Sequence, residues 1–385
     1  MALLTDERPN PELLLKRFQE EERNHRRGKL KIYLGAAPGV GKTYSMIQDA
    51  ITLRDHGTDV VVGLAESHGR QEIEALLKNL TILPRQIIEY RGQKLSEFDL
   101  NKVLELHPQL VLVDEMAHTN APGSKHKKRW EDINELLVHG IDVYTTLNVQ
   151  HIESLNDDVA QIIHAPVKET VPDFMLDKAE TIELVDLPPE ELLNRLQEGK
   201  VYFPEHAEMA RKHFFRKGNL IALRELALRK TAERVENDVL LYRQGEGIQH
   251  IWPANGKILV CVGPGSESTT LVRAACKLAH HQKIHWIAVL VDTPRMRSSE
   301  VERNKAIDHL HYAELLGAKT KILTGSDVVK EILRYAREEN VTLLMIWKYI
   351  RPRWKNIFRR NLADELVRYS EEIDVYIMTG SVEEK

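Results

Sequence analysis

Short apolar runs and helical patterns alternate along the first half of the chain. The runs have strand length, and between them apolar residues recur every three or four positions, as on one face of a helix. This alternation predicts a parallel sheet with helices on both faces. The predicted strands are Lys31–Leu34, Asp59–Ala65, Gln86–Tyr90, Leu110–Val113 and Ile141–Leu147. The predicted helices are an exposed lead-in over 11–29, then Lys42–His56, Arg70–Leu80 and Leu95–Leu106.

The pattern changes twice further along. Residues 165–215 contain five prolines and are predicted to be less regular. A long helix follows, with one face formed by Leu220, Leu223, Ala227, Thr231, Val235, Val239 and Tyr242. Pairing of two chains into a homodimer and packing between two domains both fit this face, and spacing does not decide between them.

A second alternation of strands and helices begins at Lys257 and predicts a compact open α/β domain. Its strands are Ile258–Val262, His285–Val291, Thr320–Leu323, Val341–Ile346 and Val375–Met378. Its helices are Ser268–His280, Glu300–Leu316, Asp327–Glu339 and Leu362–Tyr369. The chain of 385 residues therefore divides into a lead-in segment (1–28), a first domain (29–215), a helical connector and linker (216–255) and a second domain (256–385).

Composition narrows the class of protein. Lysine plus arginine total 54 and aspartate plus glutamate 58, a formal charge of −4, so nothing drives the chain toward nucleic acid. Two cysteines form no disulfide framework, which fits a reducing, cytoplasmic location. The N-terminus has no secretory pattern, and no apolar run approaches the ~20 residues of a membrane span. We therefore expect no direct membrane insertion.

The strongest chemical signal is the segment GAAPGVGKT, Gly35–Thr43, between a predicted strand and a predicted helix. It is the alanine variant of the phosphate-binding loop, in which small residues let backbone N–H groups surround phosphates. Lys42 would reach the β- and γ-phosphates, and the Thr43 hydroxyl would contact Mg²⁺. The sequence thus predicts ATP and Mg²⁺ as cofactors. The predicted nucleotide-binding residues are Gly35, Ala36, Pro38, Gly39, Val40, Gly41, Lys42, Thr43, Tyr44 and Asn148.

Two acidic residues end the apolar run at Leu110–Val113. With the phosphate loop about 70 residues upstream, Asp114 is predicted to hold Mg²⁺ together with Thr43. Glu115 is the candidate catalytic residue, placed to orient or activate a water. Asn148 ends the next strand, where sensing the γ-phosphate and capping the following helix are equally good interpretations.

Further polar residues follow the strands at the same predicted sheet edge. His68 and Arg70 are candidate contacts for a substrate, a phosphate or a partner, with helix capping as the alternative. A basic loop over His118–Arg129 includes Lys127 and Arg129. Such a charge run usually forms a solvated surface. The more specific hypothesis is a switch that responds to phosphate or to a partner.

Four segments together resemble one family. GAAPGVGKTYSM, ESHGR, LVLVDEMAHTNAPGSKHKKRWEDINELL and DVYTTLNVQHIESLND are similar to the N-terminal cytoplasmic region of the KdpD family of potassium- and osmo-responsive sensor histidine kinases. The resemblance runs from about residue 28 to about residue 240. It implies a P-loop NTPase-like domain, with a membrane sensor kinase or the response regulator of the potassium system as partner. Full-length members continue into membrane and kinase segments, so this chain is expected to be a short form without kinase activity.

The second domain resembles the universal stress protein domain of the same family. Arg351 and Arg353 lie where the family has an arginine-rich segment, and they are candidate contacts for an anion or an acidic partner. The glycine-rich loop of nucleotide-binding stress proteins is missing after Met345, which argues against ATP there. Ser266, Ser268 and Trp286–Ala288 echo a cyclic di-AMP motif only in part.

These observations give three hypotheses. The leading one is a regulatory sensor component of potassium and osmotic two-component signalling, in which ATP binding controls the conformation that a partner recognises. The second is a weak ATPase or small-molecule phosphotransferase that uses the same loop. The third is a ligand-binding module that senses a cyclic dinucleotide or another anion through the second domain.

Overall fold

The computed structural model describes residues 27–201, 214–246, 248, 250–252, 256–350 and 362–381. The predicted lead-in helix lies almost wholly outside these residues. The chain divides into two compact units, Met1–Arg234 and Val235–Lys385. The dividing point falls within one continuous helix, Lys217–Gly245, which therefore contributes residues to both units.

The first unit contains eight strands in its described residues. The strands are β1 Leu30–Gly35, β2 Val60–Leu64, β3 Thr81–Ile82, β4 Gln86–Tyr90, β5 Gln93–Glu97, β6 Leu110–Val113, β7 Asp142–Asn148 and β8 Thr181–Val185. Five of them, β1, β2, β4, β6 and β7, correspond to predicted strands. The helices are α1 Lys42–Asp55, α2 Gln71–Leu77, α3 Leu100–Leu106, α4 Arg129–Val138, α5 Asn156–Ile163, α6 Asp173–Asp177, α7 Pro189–Gln197 and α8 Lys217–Gly245.

Six of these strands form one sheet in the order β3-β2-β6-β7-β1-β8, and every pair is parallel. A buried apolar layer covers each face. One layer joins Tyr33 of β1 to Met46 and Ile47 of α1, and the other joins Ile32 to Ile133 and Leu136 of α4. Because all six strands point the same way, their carboxyl ends meet at a single edge of the sheet.

Two sequence predictions in this unit need correction. The helix predicted over Leu95–Leu106 begins only at Leu100, where the Asp99 side chain accepts a hydrogen bond from Lys102 N at 3.0 Å and caps the helix. The residues before it form β5, which pairs antiparallel with β4 as a separate hairpin. Strands β3 and β8 were not predicted, although they lie beside β2 and β1 in the main sheet.

The second unit is a five-stranded parallel sheet in the order β11-β10-β9-β12-β13. All five predicted strands are present as β9 Ile258–Cys261, β10 Trp286–Asp292, β11 Lys319–Thr324, β12 Leu343–Ile350 and β13 Asp374–Ser381. The helices are α9 Glu267–Gln282, α10 Pro294–Arg297, α11 Glu300–Leu315, α12 Val328–Glu338 and α13 Leu362–Tyr369. Apolar layers cover both faces of this sheet as well. Both units are thus mixed α/β structures built on parallel sheets.

Helix α8 confirms the predicted long helix but not its single buried face. Leu220, Leu223 and Ala227 are buried in the first unit. Val235 and Tyr242, predicted on the same face, are more than half exposed. Val235 and Tyr242 lie beyond Arg234, where the first unit ends, so the core that buries the earlier residues no longer covers this face.

Among the described residues, no helix is both long enough and apolar enough to cross a membrane. Cys261 and Cys276 are free thiols. Burial raises the pKa of the Cys261 thiol to about 12, so this side chain stays a neutral, apolar part of β9.

Candidate functional site

A cleft of about 260 Å³ opens at the carboxyl edge of the first sheet. The ends of β1, β2, β6 and β7 all contribute to it, as expected for a ligand site on a parallel sheet. The lining residues are Pro38, Gly39, Gly41, Lys42, Thr43, His68, Arg70, Asp114, Glu115, Thr146, Asn148, Gln150 and His151.

The loop between β1 and α1 forms one wall of this cleft. Gly39 and Gly41 have φ angles of 91° and 112°, in the left-handed region that favours glycine. A Cβ on Gly39 would lie 2.5 Å from a methyl group of Val201. The chain therefore turns tightly enough that α1 begins at Lys42, inside the cleft.

Lys42 is 8% exposed, and its ammonium group has neutral hydrogen-bond partners. Its Nζ donates to the carbonyl oxygen of Ala37 at 3.1 Å and to Oδ1 of Asn148. Burial is the main cause that lowers the pKa of Lys42 to about 8, and the charge on Arg70 contributes to this shift, while Asp114 and Glu115 oppose it. The site thus holds a buried cation whose charge is only partly compensated.

Asp114 lies beside this lysine and is 1% exposed. Its carboxylate accepts hydrogen bonds from Thr43 Oγ1 at 3.1 Å, from Glu66 N at 3.2 Å and from Thr146 Oγ1. Burial raises the pKa of Asp114, as does the nearby charge of Glu115, although these hydrogen bonds favour the ionised form. A metal cation bound to this carboxylate, in addition to the nearby Lys42, would offset its desolvation further.

The donor atoms here suit magnesium. The Thr43 hydroxyl and the Asp114 carboxylate are hard oxygen ligands, and Mg²⁺ in nucleotide sites typically takes one or two protein oxygens plus phosphates and waters. No cluster of three or more His, Cys, Asp or Glu that could hold a metal occurs within the described part of the chain. Two protein oxygens fit a metal that arrives with a ligand, because phosphates and waters would fill its remaining positions.

Glu115 follows at the rim of the cleft with a φ of 58°. Its carboxylate lies 3.7 Å from His68 Nε2 and 3.7 Å from Arg129 Nη1. The hydrogen bond from His68 lowers the pKa of Glu115, and the charge of Arg129 adds to this although burial opposes it. A non-glycine residue in the left-handed region is strained, and such strain concentrates at functional sites.

Arg129 is 3% exposed at the start of α4, so it faces protein and not solvent. Its Nη2 donates to Glu97 Oε2 at 3.2 Å, and its Nη1 donates to the carbonyl oxygens of Asp114 at 3.2 Å and Glu115 at 3.4 Å. Burial would raise the pKa of Glu97, but hydrogen bonds from His118 and Ala121 N hold it below its usual value. The ion pair of Arg129 with Glu97 therefore holds in place the backbone of Asp114 and Glu115.

The other charges of the basic loop are largely paired within the protein. Lys125 Nζ and His126 Nε2 reach the two oxygens of Glu135 at 2.5 and 2.6 Å. Thr119 and Lys128 form an antiparallel bridge that closes the loop. Lys127 is exposed, so of the two loop residues predicted to contact a partner it is the one that faces solvent.

A smaller pocket of about 120 Å³ adjoins the cleft at Glu115 and Asn148. His118, His151 and Glu169 line it. His151 Nδ1 donates a hydrogen bond to the carbonyl oxygen of Glu169 at 2.8 Å, and burial lowers the pKa of His151. A neutral histidine therefore stands between the two cavities.

Not every predicted residue reaches the cleft. Gly35, Ala36 and Val40 are buried in the loop behind it, and Tyr44 is 37% exposed on α1, where its hydroxyl accepts a hydrogen bond from Gln48. Their binding roles stay predictions. The candidate anion contacts Arg351 and Arg353 lie outside the described residues.

Three further residues of the site belong to the strand end at which the sequence predicted sensing of the γ-phosphate. Thr146, Gln150 and His151 line the cleft because β7 ends beside β1 and β6. Their position at a strand end was a usable signal. Glu97 gave none, because it reaches Arg129 from 32 positions away through a hairpin that was not predicted.

The fold and the cleft define a mixed α/β protein with parallel sheets and a charged pocket at one sheet edge. A family profile described as "Osmosensitive K+ channel His kinase sensor domain" (KdpD) matches residues 26–235. The chain belongs to the KdpD family of sensor proteins in potassium signalling, and this confirms the resemblance seen in its sequence.

Curated relatives extend the match along the chain. "Sensor protein KdpD" of Escherichia coli (strain K12) is 47% identical over 95% of this chain and 40% of that protein. The protein of the same name from Clostridium acetobutylicum is 42% identical over 97% of this chain and 42% of its own length. The "Putative sensor protein KdpD" of Synechocystis is 37% identical over 92% of this chain and 95% of the relative. The chain thus spans about two-fifths of the first two relatives.

Solved structures give weaker matches. A universal stress protein in complex with cAMP has a TM-score of 0.27 and 19% identity, and covers 33% of this chain and 98% of that chain. The universal stress protein from Archaeoglobus fulgidus has a TM-score of 0.26 and 21% identity, over 36% of this chain and 98% of that chain.

Proposed function

We propose that the first unit is a P-loop NTPase-like domain that binds Mg·ATP and controls a partner in potassium signalling. The buried ammonium of Lys42 is the observation that carries this proposal. Its partners, Ala37 O and Asn148 Oδ1, bear no formal charge, and its pKa is lowered to about 8. A polyphosphate would supply the missing negative charge in a low-dielectric site, where charge-assisted hydrogen bonds are strong.

Different residues of the cleft would contact the phosphates and the metal. Backbone N–H groups of the loop and the first turn of α1 would face the phosphates, since helix N-termini favour anions. Thr43 and Asp114 would hold Mg²⁺, which neutralises phosphate charge when bound. Arg70 lines the same cleft and adds a second positive charge.

Asn148 gives a physical basis for regulation. It ends β7 and accepts a hydrogen bond from Lys42, and Val149–His151 continues directly from it as a short 3₁₀ helix. Phosphates that draw Lys42 toward them would release Asn148. Binding would then change the restraint on the segment that follows, and a ligand shifts a conformational equilibrium through such differential contacts.

Titration calorimetry with Mg·ATP tests the binding step. We expect Lys42→Ala to weaken affinity by about 100-fold or more, because at least two charge-assisted hydrogen bonds are lost. Lys102→Ala is the matched control, since this lysine is exposed on α3 and pairs with Glu105 outside the cleft. Wild-type protein that gives no binding heat, or a Lys42→Ala variant that binds as tightly, would overturn the proposal.

The regulatory step needs a partner. Family membership favours a membrane sensor kinase or the response regulator of the potassium system. Pull-down from membranes and cytosol with and without Mg·ATP would identify it, with Lys42→Ala protein as the matched control. Capture of either candidate should depend on nucleotide for the wild type alone. Equal capture in all conditions would argue against nucleotide control.

A second function, slow ATP hydrolysis or phosphoryl transfer, is favoured by Glu115. This residue is held ionised and strained at the rim of the cleft, beside the pocket that His118 and His151 line. A carboxylate in that position could orient a water or another hydroxyl. Phosphate release should fall at least tenfold in Glu115→Gln while Mg·ATP affinity stays within twofold. Release equal to the buffer blank in wild-type protein would exclude hydrolysis.

A further inference from the structure

Helix α7 packs against the outer side of the loop between β1 and α1. A Cβ on Gly39 of this loop would lie 3.2 Å from Leu192 Cδ1, and Leu192 is 2% exposed. Val201, which follows the helix, meets the same glycine. Arg195 comes three positions after Leu192, and residues at this spacing lie on one side of a helix. The packing of Leu192 therefore brings Arg195 to the loop.

The guanidinium of Arg195 lies beside Gly41, where the loop ends and α1 begins. A Cβ on Gly41 would lie 3.9 Å from Arg195 Nη1 and 3.9 Å from Val185 Cγ1, at the end of β8. Gly41 itself lines the cleft, so Arg195 lies just outside the cleft wall. A change of side-chain rotamer is enough to bring this cation to a ligand at Gly41.

The strands on either side of β1 indicate which part of a nucleotide would reach Arg195. Gly35, at the end of β1, pairs with Asn148 of β7 on one side and with β8 on the other. Lys42 donates to Asn148, and Asp114 ends β6, the strand beyond β7. The groups expected to hold the β- and γ-phosphates and Mg²⁺ thus lie on the β7 side. The α-phosphate and the nucleoside would extend toward β8, where Arg195 lies.

The charge of Arg195 is weakly held in the protein. Its Nη2 lies 3.3 Å from Glu191 Oε1, and these two side chains are 37% and 53% exposed. Exposed ion pairs one helical turn apart contribute little to stability. The carboxylate of Glu198, which also senses the charge of Arg195, is 2.7 Å from Lys200 Nζ. Arg195 can therefore leave Glu191 for a stronger anion.

We propose that Arg195 binds the α-phosphate of the nucleotide and gives up Glu191 when the ligand enters. A guanidinium donates two parallel hydrogen bonds to phosphate oxygens, and such contacts are stronger than an exposed ion pair. Arg195 thereby favours nucleoside phosphates over inorganic phosphates at this site. The inference rests on the proposed binding of Mg·ATP and adds a residue that does not line the cleft.

Titration calorimetry with Mg·ATP tests the contact in the full chain. Arg195→Ala should weaken affinity about tenfold, because a charge-assisted contact is lost. Glu191→Gln should strengthen it about twofold to threefold, since Arg195 is then free, and should have no effect in a chain that carries Arg195→Ala. A gain of affinity cannot come from a folding defect.

A second exposed pair provides the matched controls. Arg229 and Glu225 form a salt bridge at the same spacing on α8, and both side chains are 58% exposed. Arg229→Ala and Glu225→Gln should leave the affinity for Mg·ATP unchanged. If they change it as much as the α7 variants do, the effect comes from the net charge of the protein, and the contact with Arg195 is excluded.

Pyrophosphate shows which phosphate is bound. Mg·pyrophosphate, used as a competitor of Mg·ATP, offers the two phosphates that Lys42 and Mg²⁺ would hold but no α-phosphate. Its affinity should change less than about twofold in Arg195→Ala. Equal losses for both ligands would mean that Arg195 acts on the loop or on another phosphate, which overturns its assignment to the α-phosphate.

The outcomes separate this inference from the proposal on which it rests. Wild-type protein that gives no binding heat with Mg·ATP overturns both. Binding that Lys42→Ala weakens while Arg195→Ala and Glu191→Gln leave it unchanged overturns the role of Arg195 alone. Opposite shifts in the two α7 variants, with the α8 controls at the wild-type value, support both.

Discussion

The two units share an architecture but differ in the loops that follow their first strands. The difference lies in whether the polar and charged groups there have partners that match them. In the first unit β1 leads into a loop beside the buried Lys42, whose hydrogen-bond partners are neutral. In the second unit β9 leads into a loop whose polar groups satisfy one another. Ser268 Oγ accepts from Gly263 N at 2.9 Å and donates to Gly263 O at 3.0 Å, and His309 Nδ1 reaches the same oxygen at 2.8 Å.

The next strand of the second unit gives the same contrast. Asp292 ends β10 and is 7% exposed, like Asp114 at the end of β6. Arg303 Nε lies 3.3 Å from Asp292, so this carboxylate has a cation of its own within the unit. A parallel sheet therefore provides the edge, and a buried charge on that edge that is only partly compensated indicates a site for a charged ligand.

The largest expected effect compares two buried cations of the first unit. Arg129→Met should destabilise that unit by about 3–5 kcal/mol, because it removes the cation that pairs with the buried Glu97 and the donor to Glu97 Oε2 and to two backbone carbonyls. Lys42→Met should be neutral or stabilising without nucleotide, because it removes a desolvated charge whose hydrogen-bond partners are neutral. Calorimetric unfolding of the full chain at pH 7 measures both.

The Lys42 variant is the control for the Arg129 variant in that experiment. Each replaces a long cation by methionine in the same unit, and both side chains are under 9% exposed. If Lys42→Met is the more destabilising of the two variants, the charge of the Lys42 ammonium is stabilised by interactions other than its observed hydrogen bonds. The contrast between a structural and a binding cation would then be wrong.

A smaller effect compares the glycines of the two loops. Gly39→Ala should weaken Mg·ATP binding about tenfold, since a methyl group at φ 91° and 2.5 Å from Val201 makes the loop relax away from its binding shape. Gly263→Ala should change nothing, because a Cβ there meets no atom within 4 Å. Titration calorimetry of both variants measures their affinity for Mg·ATP. An equal loss of affinity in both would indicate that the substitutions affect the folding of the whole chain and not the loop alone.

Local pattern was enough for much of the fold. The strands β6 and β9 to β13, the helices α9 and α11 to α13 and the loop before Lys42 all follow from apolar spacing and small residues. Asp114 could be placed near Lys42 because parallel strands end at a common edge. The second acidic residue, Glu115, followed from the same strand end.

Long-range contacts account for what was missed. Arg129 belongs to a charge run, and composition alone assigns such a run to solvent, yet a hairpin brings Glu97 to it from 32 positions away. Strand β8 follows a proline-rich stretch and is recognised only by its pairing with β1. The face of α8 that is buried depends on where the core ends, which helical spacing does not encode.

The smallest effect is a proton taken up on binding. With a pKa of about 8, roughly half of the Lys42 side chains are neutral at pH 8 in free protein. Bound phosphates favour the charged form and raise this pKa, so Mg·ATP binding at pH 8 should take up about half a proton. The uptake should fade below pH 7, where Lys42 is already charged.

Calorimetry in buffers of different ionisation enthalpy measures this proton. Lys42→Arg is the first control, because arginine stays charged and any residual uptake then comes from the nucleotide or other groups. Lys257→Met is the second, since burial also lowers the pKa of Lys257, but this lysine lies in the second unit, 3.9 Å from Glu339. If proton uptake persists in Lys42→Arg but disappears in Lys257→Met, the group that takes up the proton is Lys257. The candidate phosphate site would then lie in the second unit.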